Sequence, residues 1–472
     1  MTRYAQVAWI AVLAASLTAC FELSGSHGGG QTTFSGTRAL NPADIAVPDG
    51  YRIDVVATGL TFPTGIAFDA SGNAYVTESG YAYGEVTTVP RLLRLKPDGR
   101  HDVIVTGGKN GPWNGVAFHH GALFIAEGGQ FEGGRLLKVT SEGAVTVLVD
   151  DLPSLGDHHT DGPVIGPDGW VYFGQGTATN SGVVGEDNKK FGWVARFPDF
   201  HDTPCRDLTL TGQNFNGTGA YSPLGTISQP GQVIAGRVPC NGAVFRVRPD
   251  GGSAELVAWG FRNPYGLAFS PDGRLFLTEN GYDDRGSRPV HGAGDVLWAV
   301  TPGLWYGWPD FHAGKPLNLG DHYVPPGKRK PIPLLASYPN APPEPVAVLG
   351  VHASANGFDF SRDAAFGFVG EAFIAEFGDM APAVGKVLAP VGFRVVRVDR
   401  GGAIHDFAVN RGKQTAPASL LGHGGLERPI AARFDASGRT LYVVDFGVMT
   451  VAKKGPEPRP GTGVVWKITR TR

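Results

Sequence analysis

The 472-residue sequence has little charge, few cysteines and no helical periodicity. Charged residues make up 18 % and the net charge is −2, so no electrostatic footprint suggests nucleic acid or an anionic membrane surface as a partner. Glycine (70 residues) and proline (36 residues) are too frequent for long helices or a coiled coil. Hydrophobic residues still make up 42 %, which excludes a disordered chain. The composition therefore predicts a turn-rich, mostly β protein with a large core.

The first of only three cysteines, Cys20, ends an N-terminal segment typical of export signals. One charge, Arg3, precedes an apolar run at 7–17 that is too short to span a bilayer. The residues LTAC at 17–20 resemble the bacterial lipobox, which implies a chain anchored to the membrane only through lipid on Cys20. Phe21 at the next position favours the outer membrane. An ordinary signal peptide with an incidental cysteine is the alternative.

The other two cysteines, Cys205 and Cys240, enclose a polar segment with little periodicity. An even number of cysteines in an exported chain predicts a disulfide between them, with two free thiols as the alternative. No cysteine lies in a CxxCH motif, which excludes covalently attached haem. Residues 21–45, rich in glycine and serine, are predicted to form a flexible tether between Cys20 and the body of the protein.

Six copies of one pattern predict the fold. Each copy has a small residue, glycine, an apolar residue and often Ala-Phe, followed by a turn and a second apolar strand. Further strands flank most copies, and three or four antiparallel strands repeated six times predict an all-β, six-bladed β-propeller. Small residues would let six inner strands crowd around one axis; a two-sheet sandwich array is the competing architecture. The copies begin at Pro63, Trp113, Asp161, Pro264, Ala355 and Pro429.

The propeller is predicted to be a single domain over residues 46–472. A strand near Tyr51 would complete the last blade and close the ring. Three long irregular segments interrupt the repeats, at 198–241, 282–294 and 302–349. Loops of this length in a compact domain usually carry function. The third is rich in proline and aromatic residues, and we expect it to form an ordered lid over one face.

Arg262 and Asn263 stand directly before the fourth inner strand, at the mouth of the predicted central funnel. A guanidinium beside an amide can bind a planar, oxygen-rich molecule there, whereas both residues could instead stabilise turns between blades. The surrounding residues GFRNPYGLAF, followed by PDG and TENG, resemble the glucose/sorbosone dehydrogenase family. The resemblance extends over roughly 51–470.

That resemblance implies a propeller that uses pyrroloquinoline quinone (PQQ) and calcium to oxidise an aldose-like sugar or sugar aldehyde. Electrons would pass to a periplasmic or membrane acceptor. His158 matches the family's general base, with His159 as a neighbour that could exchange roles. Arg262 would act in catalysis by contacting quinone oxygens, and Asn263 would orient the cofactor. Gly162 and Gln175 are departures, because the family has an arginine and an aspartate there.

The same resemblance implies the remaining ligands. The further cofactor-binding candidates are Asn110, Lys386 and Arg428, and His352 is another candidate at the funnel. The backbone carbonyls of Gly281 and Tyr282 match the family's calcium ligands, and calcium prefers oxygen. The same loop adds three carboxylates, Asp283, Asp284 and Asp295.

Two other functions fit the sequence. A lactonase-type hydrolase would hold calcium on the axis and activate water. A binding module for a carbohydrate or a protein would have lost the cofactor, as the departures at 162 and 175 suggest. The hydrolase centre would use the side chains of Asn110, Asn114, Asn263, Asn356, Glu279 and Glu376.

Overall fold

The computed structural model describes residues 27–471 except 32, 81–87, 130, 383, 413–414 and 453–454. The predicted signal peptide and Cys20 lie outside the described residues. Within the described ranges, no helix is long and apolar enough to cross a membrane.

Six antiparallel sheets form the blades. Strands β1 (Ile45–Ala46) and β2 (Tyr51–Leu60) precede the first of them. Blade 1 contains β3 (Pro63–Phe68), β4 (Ala74–Glu78), β5 (Arg91–Leu95) and β6 (His101–Thr106). Blade 2 contains β7 (Trp113–His119), β8 (Ala122–Glu127), β9 (Gly134–Thr140) and β10 (Val145–Leu152).

Blades 3 and 4 each carry a long insertion between two strands. Blade 3 begins with β11 (Thr160–Ile165) and β12 (Val171–Gln175). Its insertion contains α1 (Glu186–Lys190), α2 (Trp193–Arg196), β13 (Leu208–Thr209), β14 (Asn214–Phe215), β15 (Thr218–Gly219) and β16 (Val233–Ile234). The blade ends with β17 (Ala243–Val247) and β18 (Glu255–Trp259). Blade 4 contains β19 (Pro264–Phe269), β20 (Leu275–Glu279), β21 (Gly294–Ala299), the inserted β22 (Phe311–His312) and β23 (Lys315–Pro316), and β24 (Ala347–Val351).

Blades 5 and 6 complete the ring. Blade 5 contains β25 (Ala355–Phe360), β26 (Ala372–Glu376), β27 (Arg394–Val398) and β28 (Ile404–Asn410), and β1 pairs with its outer edge. The short α3 (Ala418–Leu421) follows it. Blade 6 contains β29 (Pro429–Phe434), β30 (Thr440–Asp445), the hairpin β31 (Met449–Ala452) and β32 (Gly455–Pro458), and β33 (Gly463–Arg470).

Strand β2 closes the propeller, because it pairs antiparallel with β33 at the outer edge of blade 6. The six inner strands β3, β7, β11, β19, β25 and β29 each contact the next, and β29 contacts β3. The predicted all-β, six-bladed propeller and its closure by an N-terminal strand are therefore confirmed.

Glycines allow the inner strands to approach one another. A Cβ atom added to Gly115 would lie 2.2 Å from the carbonyl oxygen of Gly162 in the next blade. A Cβ atom on Gly266 would lie 2.3 Å from the carbonyl oxygen of Asn356. Both distances are far below van der Waals contact with backbone atoms that cannot move aside, so glycine is required at these positions.

Replacing Gly115 by alanine is expected to destabilise the propeller, by about 1–3 kcal/mol for overpacking and by more if the strands cannot separate. Its φ of 147° adds to the cost because side-chain-bearing residues rarely adopt it. Gly108→Ala is the matched control, because no atom lies within 4 Å of its added Cβ. Urea denaturation of both variants measures the effect, and equal midpoints would contradict this packing argument.

The insertions of blades 3 and 4 pair with each other. Leu210 and Leu335 form an isolated antiparallel bridge between them. The predicted disulfide between Cys205 and Cys240 is confirmed, with Cα atoms 5.0 Å apart. Within the blade 4 insertion, Trp305 forms an isolated parallel bridge with Trp259 at the end of β18. The segment predicted to form a lid packs into the core through Trp305, Trp308 and Tyr323, whereas Tyr338 is exposed.

A buried ion pair joins these insertions to the 282–294 loop. Arg288 donates to Asp310 over 2.8 Å, and both side chains are 1 % exposed. Arg288 also donates to the carbonyl oxygens of Ser181, Pro309 and Ile332. Asp310 in turn accepts from the backbone amides of residues 334 and 335.

The C-terminal part of the predicted tether is ordered against the propeller. Arg38 donates to Asp445 over 2.5 Å and to the carbonyl oxygens of Gly425 and Thr462. A 3-10 helix at Pro42–Asp44 and strand β1 follow. A glycine- and serine-rich composition suggested a free linker, but one buried arginine and a strand pairing hold this part in place.

Candidate active site

The inner strands all begin at one end of the propeller, called here the upper face. His158 lies two residues before β11, and Arg262 lies two residues before β19. Arg428 directly precedes β29. The candidate residues therefore share the upper face but come from different blades, with His158 and Arg262 on neighbouring blades 3 and 4.

The turn after β12 holds His158 and Asn263 together. A Cβ atom on Gly176 would lie 2.3 Å from the Cβ atom of His158 and 3.0 Å from Oδ1 of Asn263. The next residue, Thr177, donates its amide to the carbonyl oxygen of Arg262 over 2.9 Å. The structure therefore brings together three of the residues that the sequence predicts for the site.

The hydrogen bonds of His158 define its tautomer. Nδ1 lies 2.9 Å from the carbonyl oxygen of Thr177. A carbonyl oxygen only accepts, so Nδ1 carries the proton and Nε2 keeps its lone pair. Burial, followed by the charges of Arg262 and Arg285, holds the pKa of His158 well below its usual range. His158 is therefore a neutral imidazole at pH 7, with Nε2 able to accept a proton.

His159 has a different environment from His158. Burial lowers its pKa to about 4, although a hydrogen bond with the backbone of Ser154 opposes the shift. Its carbonyl oxygen accepts from the amide of Gly176. His159 thus packs into the loops of its own blade, beside the cluster that contains His158.

A network of alternating arginines and aspartates adjoins His158. Arg262 is 3 % exposed and donates to Asp283 over 2.7 Å. Arg285 is paired with Asp283 over 3.1 Å, with Asp157 over 2.8 Å and with Asp187 over 2.7 Å. Although burial opposes it, the two guanidinium groups lower the pKa of Asp283. Burial raises the pKa of Asp157 to about 6 even though Arg285 opposes that shift.

Asn180 links this network to the blade 3 insertion. It accepts from Nε of Arg262 over 3.2 Å and from the amide of Asp283 over 2.9 Å. Its own side-chain amide donates to the carbonyl oxygen of Asp283. Sequence reasoning did not assign Asn180 or Arg285 to the site. The alternation of acidic and basic residues in DDRGSR at 283–288 was the available signal.

Gln175 has a structural role. Its side-chain oxygen accepts from the hydroxyl of Thr160 over 2.8 Å, and its amide donates to the carbonyl oxygens of Pro153 and Gly176. The corresponding residue at the end of the second strand of the other blades is acidic. Glu279, for example, accepts from the amide of Arg262 over 2.5 Å and from the indole of Trp298 over 2.6 Å.

The two acidic residues of the alternative hydrolase centre accept hydrogen bonds within their own blades. Glu279 accepts from Arg262 and Trp298, as described above, and Glu376 accepts from Arg394 over 2.7 Å. Among the described residues, no group of three or more His, Cys, Asp or Glu side chains could hold a metal ion. The side chains therefore do not assemble an acidic metal centre in this part of the chain.

The loop predicted to bind calcium is ordered by its carboxylates. The amide of Gly281 donates to Asp295 over 2.9 Å, and the other oxygen of Asp295 accepts from the amide of Ala355. Tyr282 is buried, and its hydroxyl donates to the carbonyl oxygen of Phe311. Oδ2 of Asp284 lies 2.7 Å from Nδ1 of His291. Asp283, Asp284 and Asp295 thus already have protein partners.

Three predicted cofactor ligands lie elsewhere. The side-chain amide of Asn110 donates to the carboxylate of Glu127 and to the carbonyl oxygen of Gly133. Its side-chain oxygen accepts from two backbone amides of a turn in blade 2. The side chain of Asn110 is thus fully hydrogen-bonded within its own blade, and its role as a cofactor ligand stays a prediction. Lys386 is exposed and forms no ion pair with another described residue. Arg428 is buried against the carbonyl oxygens of 377–379 and the rings of Phe377 and Phe393.

The segment of the chain that contains Arg262 matches a known protein family. Residues 228–337 match the Glucose / Sorbosone dehydrogenase family. The resemblance seen in the sequence is therefore confirmed, and the matched segment contains Arg262, Asn263 and the 282–294 loop. The similarity to this family therefore includes those residues of the candidate site that come from blade 4.

Three individual proteins are similar to this chain in sequence or in fold. Quinoprotein glucose dehydrogenase B of Acinetobacter calcoaceticus is 26 % identical over 163 residues, which are 34 % of this chain and 28 % of that protein. The PQQ-bound aldose sugar dehydrogenase of Streptomyces coelicolor has a similar fold, with a TM-score of 0.52 and 18 % identity over 90 % of this chain and 99 % of that chain. The calcium structure of the Trichoderma reesei Carbohydrate-Active Enzymes Family AA12 protein gives a TM-score of 0.55 and 18 % identity, over 93 % and 99 % of the two chains.

Proposed function

We propose that this chain is a PQQ-dependent sugar dehydrogenase in which His158 is the general base. The observation that carries the proposal is a neutral imidazole whose Nδ1 is fixed by Thr177, beside two guanidinium groups on the upper face. The sequence match to a quinoprotein and the fold shared with a PQQ-bound dehydrogenase support the same chemistry.

The residues of the site fit an oxygen-rich quinone. Arg262 and Arg285 provide guanidinium donors that suit carboxylate and quinone oxygens. The buried Oδ1 atom of Asn263 has no hydrogen-bond partner among the described residues, so it can accept from a bound N–H or hydroxyl group. Arg262 and Asn263 would therefore hold the cofactor, with Arg285 supporting them through Asp283.

The proposed reaction needs one proton acceptor from the protein. PQQ, when bound, supplies a quinone that takes up the hydride from the anomeric carbon of the sugar. His158 Nε2 accepts the proton of the anomeric hydroxyl, so the sugar loses two electrons and two hydrogens and becomes a lactone. Thr177 keeps the ring of His158 oriented during this step, because its carbonyl oxygen holds the Nδ1 proton.

Calcium is part of the proposal. The carbonyl oxygens of Gly281 and Tyr282 would be its protein ligands, and the bond from Gly281 to Asp295 fixes their loop. Calcium takes six to eight oxygen ligands, so two carbonyls are too few without oxygens from the cofactor and water. The calcium bound in the Trichoderma reesei structure supports the proposal by analogy of fold.

Reconstitution of the mature protein with PQQ and calcium tests the function. Reduction of a dye in the presence of a panel of aldoses and sugar aldehydes is the expected result. Calorimetry should show tight calcium binding only when PQQ is present. Tight calcium binding without PQQ, together with hydrolysis of lactones, would contradict the dehydrogenase and favour the hydrolase.

The pH dependence of turnover is a further prediction. Protonation of His158 removes the base, and the pKa of His158 lies below 6.5 because of burial and two nearby arginines. The acid limb of kcat/KM should therefore fall below pH 6.5. A limb at or above pH 6.5 would mean that a different group, or an exposed histidine, accepts the proton.

We also propose that the chain is exported and lipidated on Cys20, with the outer membrane as its location and a periplasmic or membrane acceptor for its electrons. The lipobox-like residues at 17–20 support this proposal. Incorporation of radiolabelled palmitate should occur in the wild-type protein and disappear in Cys20→Ala. Labelling that persists in the variant would contradict the anchor.

A further inference from the structure

Residues 28–30, three consecutive glycines near the start of the described chain, are buried in a groove. Cβ atoms added to them would lie 2.1, 2.4 and 2.2 Å from side-chain atoms of Asp379, Phe393 and Val451, respectively. A side chain at any of these positions would force the surrounding side chains to shift. The glycine run therefore fits a specific surface, which a free linker would not require.

Hydrogen bonds hold the segment in this groove. The amide of Gly29 donates to Oδ2 of Asp379 over 3.2 Å. The amide of His27 donates to the carbonyl oxygen of Val387 over 2.9 Å. The same Asp379 oxygen accepts from the amide of Val391, so one carboxylate links the segment to the loop between β26 and β27, which is described at 377–382 and 384–393 and called here the 377–393 loop.

The groove lies on the upper face between blades 5 and 6. Asp379 follows β26, whose last residue pairs with the first residue of β25 at that face. A Cβ atom on Gly30 would lie 3.0 Å from Nη2 of Arg428, which directly precedes β29. The glycine segment consequently covers Arg428, one of the cations that the sequence predicts for the cofactor.

The 377–393 loop connects the groove to the candidate site. A Cβ atom on Gly385 would lie 2.2 Å from Nε2 of His352, so the loop packs directly on that ring. Nδ1 of His352 is 3.8 Å from Oδ1 of Asp283 in the arginine–aspartate network. Continuous contacts therefore lead from the glycine segment to the residues around His158.

We propose that residues 27–30 are an intramolecular latch: the N-terminal segment docks in the groove and holds the 377–393 loop closed on the upper face. The groove binds the backbone of the segment through the Asp379 carboxylate, and side chains of Asp379, Phe393 and Val451 lie where a Cβ atom would be. The latch does not depend on the proposed dehydrogenase function, since it is built from contacts within the chain.

Hydrogen exchange in the full chain tests the latch. Gly29→Ala places a methyl group against Phe393 and should speed amide exchange in 377–393 by about tenfold, as expected for lost backbone docking. Gly30→Ala, which places a methyl group against Val451 outside this loop, should have the same effect in 377–393. Gly108→Ala is the matched control because its Cβ position is open. Exchange in 377–393 that is equal in all four proteins would overturn the proposal.

The latch has a geometric consequence that rests on the proposed lipid on Cys20. His27 is seven residues from Cys20, so a docked segment keeps the upper face within about 25 Å of the lipid. Without the latch, the contacts of Arg38 still limit the reach to at most about 60 Å, because Arg38 is 18 residues from Cys20.

A fluorophore attached to a Lys386→Cys variant in vesicles measures this distance. Quenching by a bilayer-surface dye should be stronger with Gly29 intact than in Gly29→Ala. Equal quenching with loosened hydrogen exchange would keep the latch but reject its role in orientation. Equal quenching with unchanged hydrogen exchange would reject both.

Discussion

Replacing His158 by glutamine is expected to lower kcat for aldose oxidation by about 100- to 10,000-fold, the range for loss of a general base. Glutamine has a similar length and can still donate to Thr177, but it cannot accept the proton of the sugar hydroxyl at neutral pH. PQQ binding should be retained because Arg262 and Asn263 are unchanged. Steady-state dye reduction and a PQQ titration by absorbance measure the two effects separately.

The control for this variant is His405→Gln. His405 is exposed at the start of β28 and contacts Asp399 in the turn after β27, at the opposite end of these strands from the upper face, so its replacement should not change kcat. If His158→Gln retains wild-type kcat, another group is the base. An equivalent loss in His159→Gln alone would assign the role to His159, which the packing of that residue into the loops of its own blade argues against.

Replacing Arg288 by methionine is expected to destabilise the protein by about 3–5 kcal/mol, because it leaves Asp310 as a buried charge without its partner. Methionine fills much of the volume but cannot donate to the carbonyl oxygens of Ser181, Pro309 and Ile332 in the insertions of blades 3 and 4. Since Arg288 itself lies in the 282–294 loop of the candidate site, PQQ binding should weaken as well. Urea denaturation measures the stability.

Arg274→Met is the matched control. Arg274 pairs with Asp272 over 2.8 Å, and both side chains are exposed, so removal of this ion pair should leave the unfolding midpoint unchanged. A double variant, Arg288→Met with Asp310→Asn, should recover part of the lost stability because no buried charge remains. Equal midpoints for Arg288→Met and Arg274→Met would show that the buried pair does not hold the insertions together.

The fold could be predicted from the sequence because its periodicity is local. Each blade repeats Gly next to apolar residues, and the contact between Gly115 and Gly162 shows why that pattern is obligatory on the axis. Closure by β2 also followed, since a lone strand before the first repeat needs a sheet. The pairing of Cys205 with Cys240 followed from the number of cysteines.

The site could be predicted only in part. His158, Arg262 and Asn263 come together as expected, because each directly precedes an inner strand. The partners of Arg262 could not be predicted, since Asn180 lies 82 residues earlier in an insertion with no repeat pattern. The partners of Asn110 within blade 2 could not be predicted either, because a polar side chain before an inner strand looks the same in the sequence whether it faces a ligand or its own turn.

The glycine-rich N-terminus shows the same limitation. Composition alone predicted a tether over 21–45, because glycine runs usually signal flexibility. The groove that makes glycine necessary is formed by Asp379, Phe393 and Val451, more than 340 residues away, and no local pattern reports on it.

The most direct test of the central claim is the absorbance spectrum of PQQ bound to the calcium-loaded protein, recorded anaerobically before and after addition of an aldose. One PQQ should bind per chain, and its spectrum should convert completely to the reduced form in a single turnover without dye. His158→Gln should bind PQQ equally, but its bound PQQ should be reduced far more slowly. Failure to bind PQQ at millimolar calcium, or a bound spectrum that no sugar or sugar aldehyde changes, would contradict the assignment as a PQQ-dependent sugar dehydrogenase.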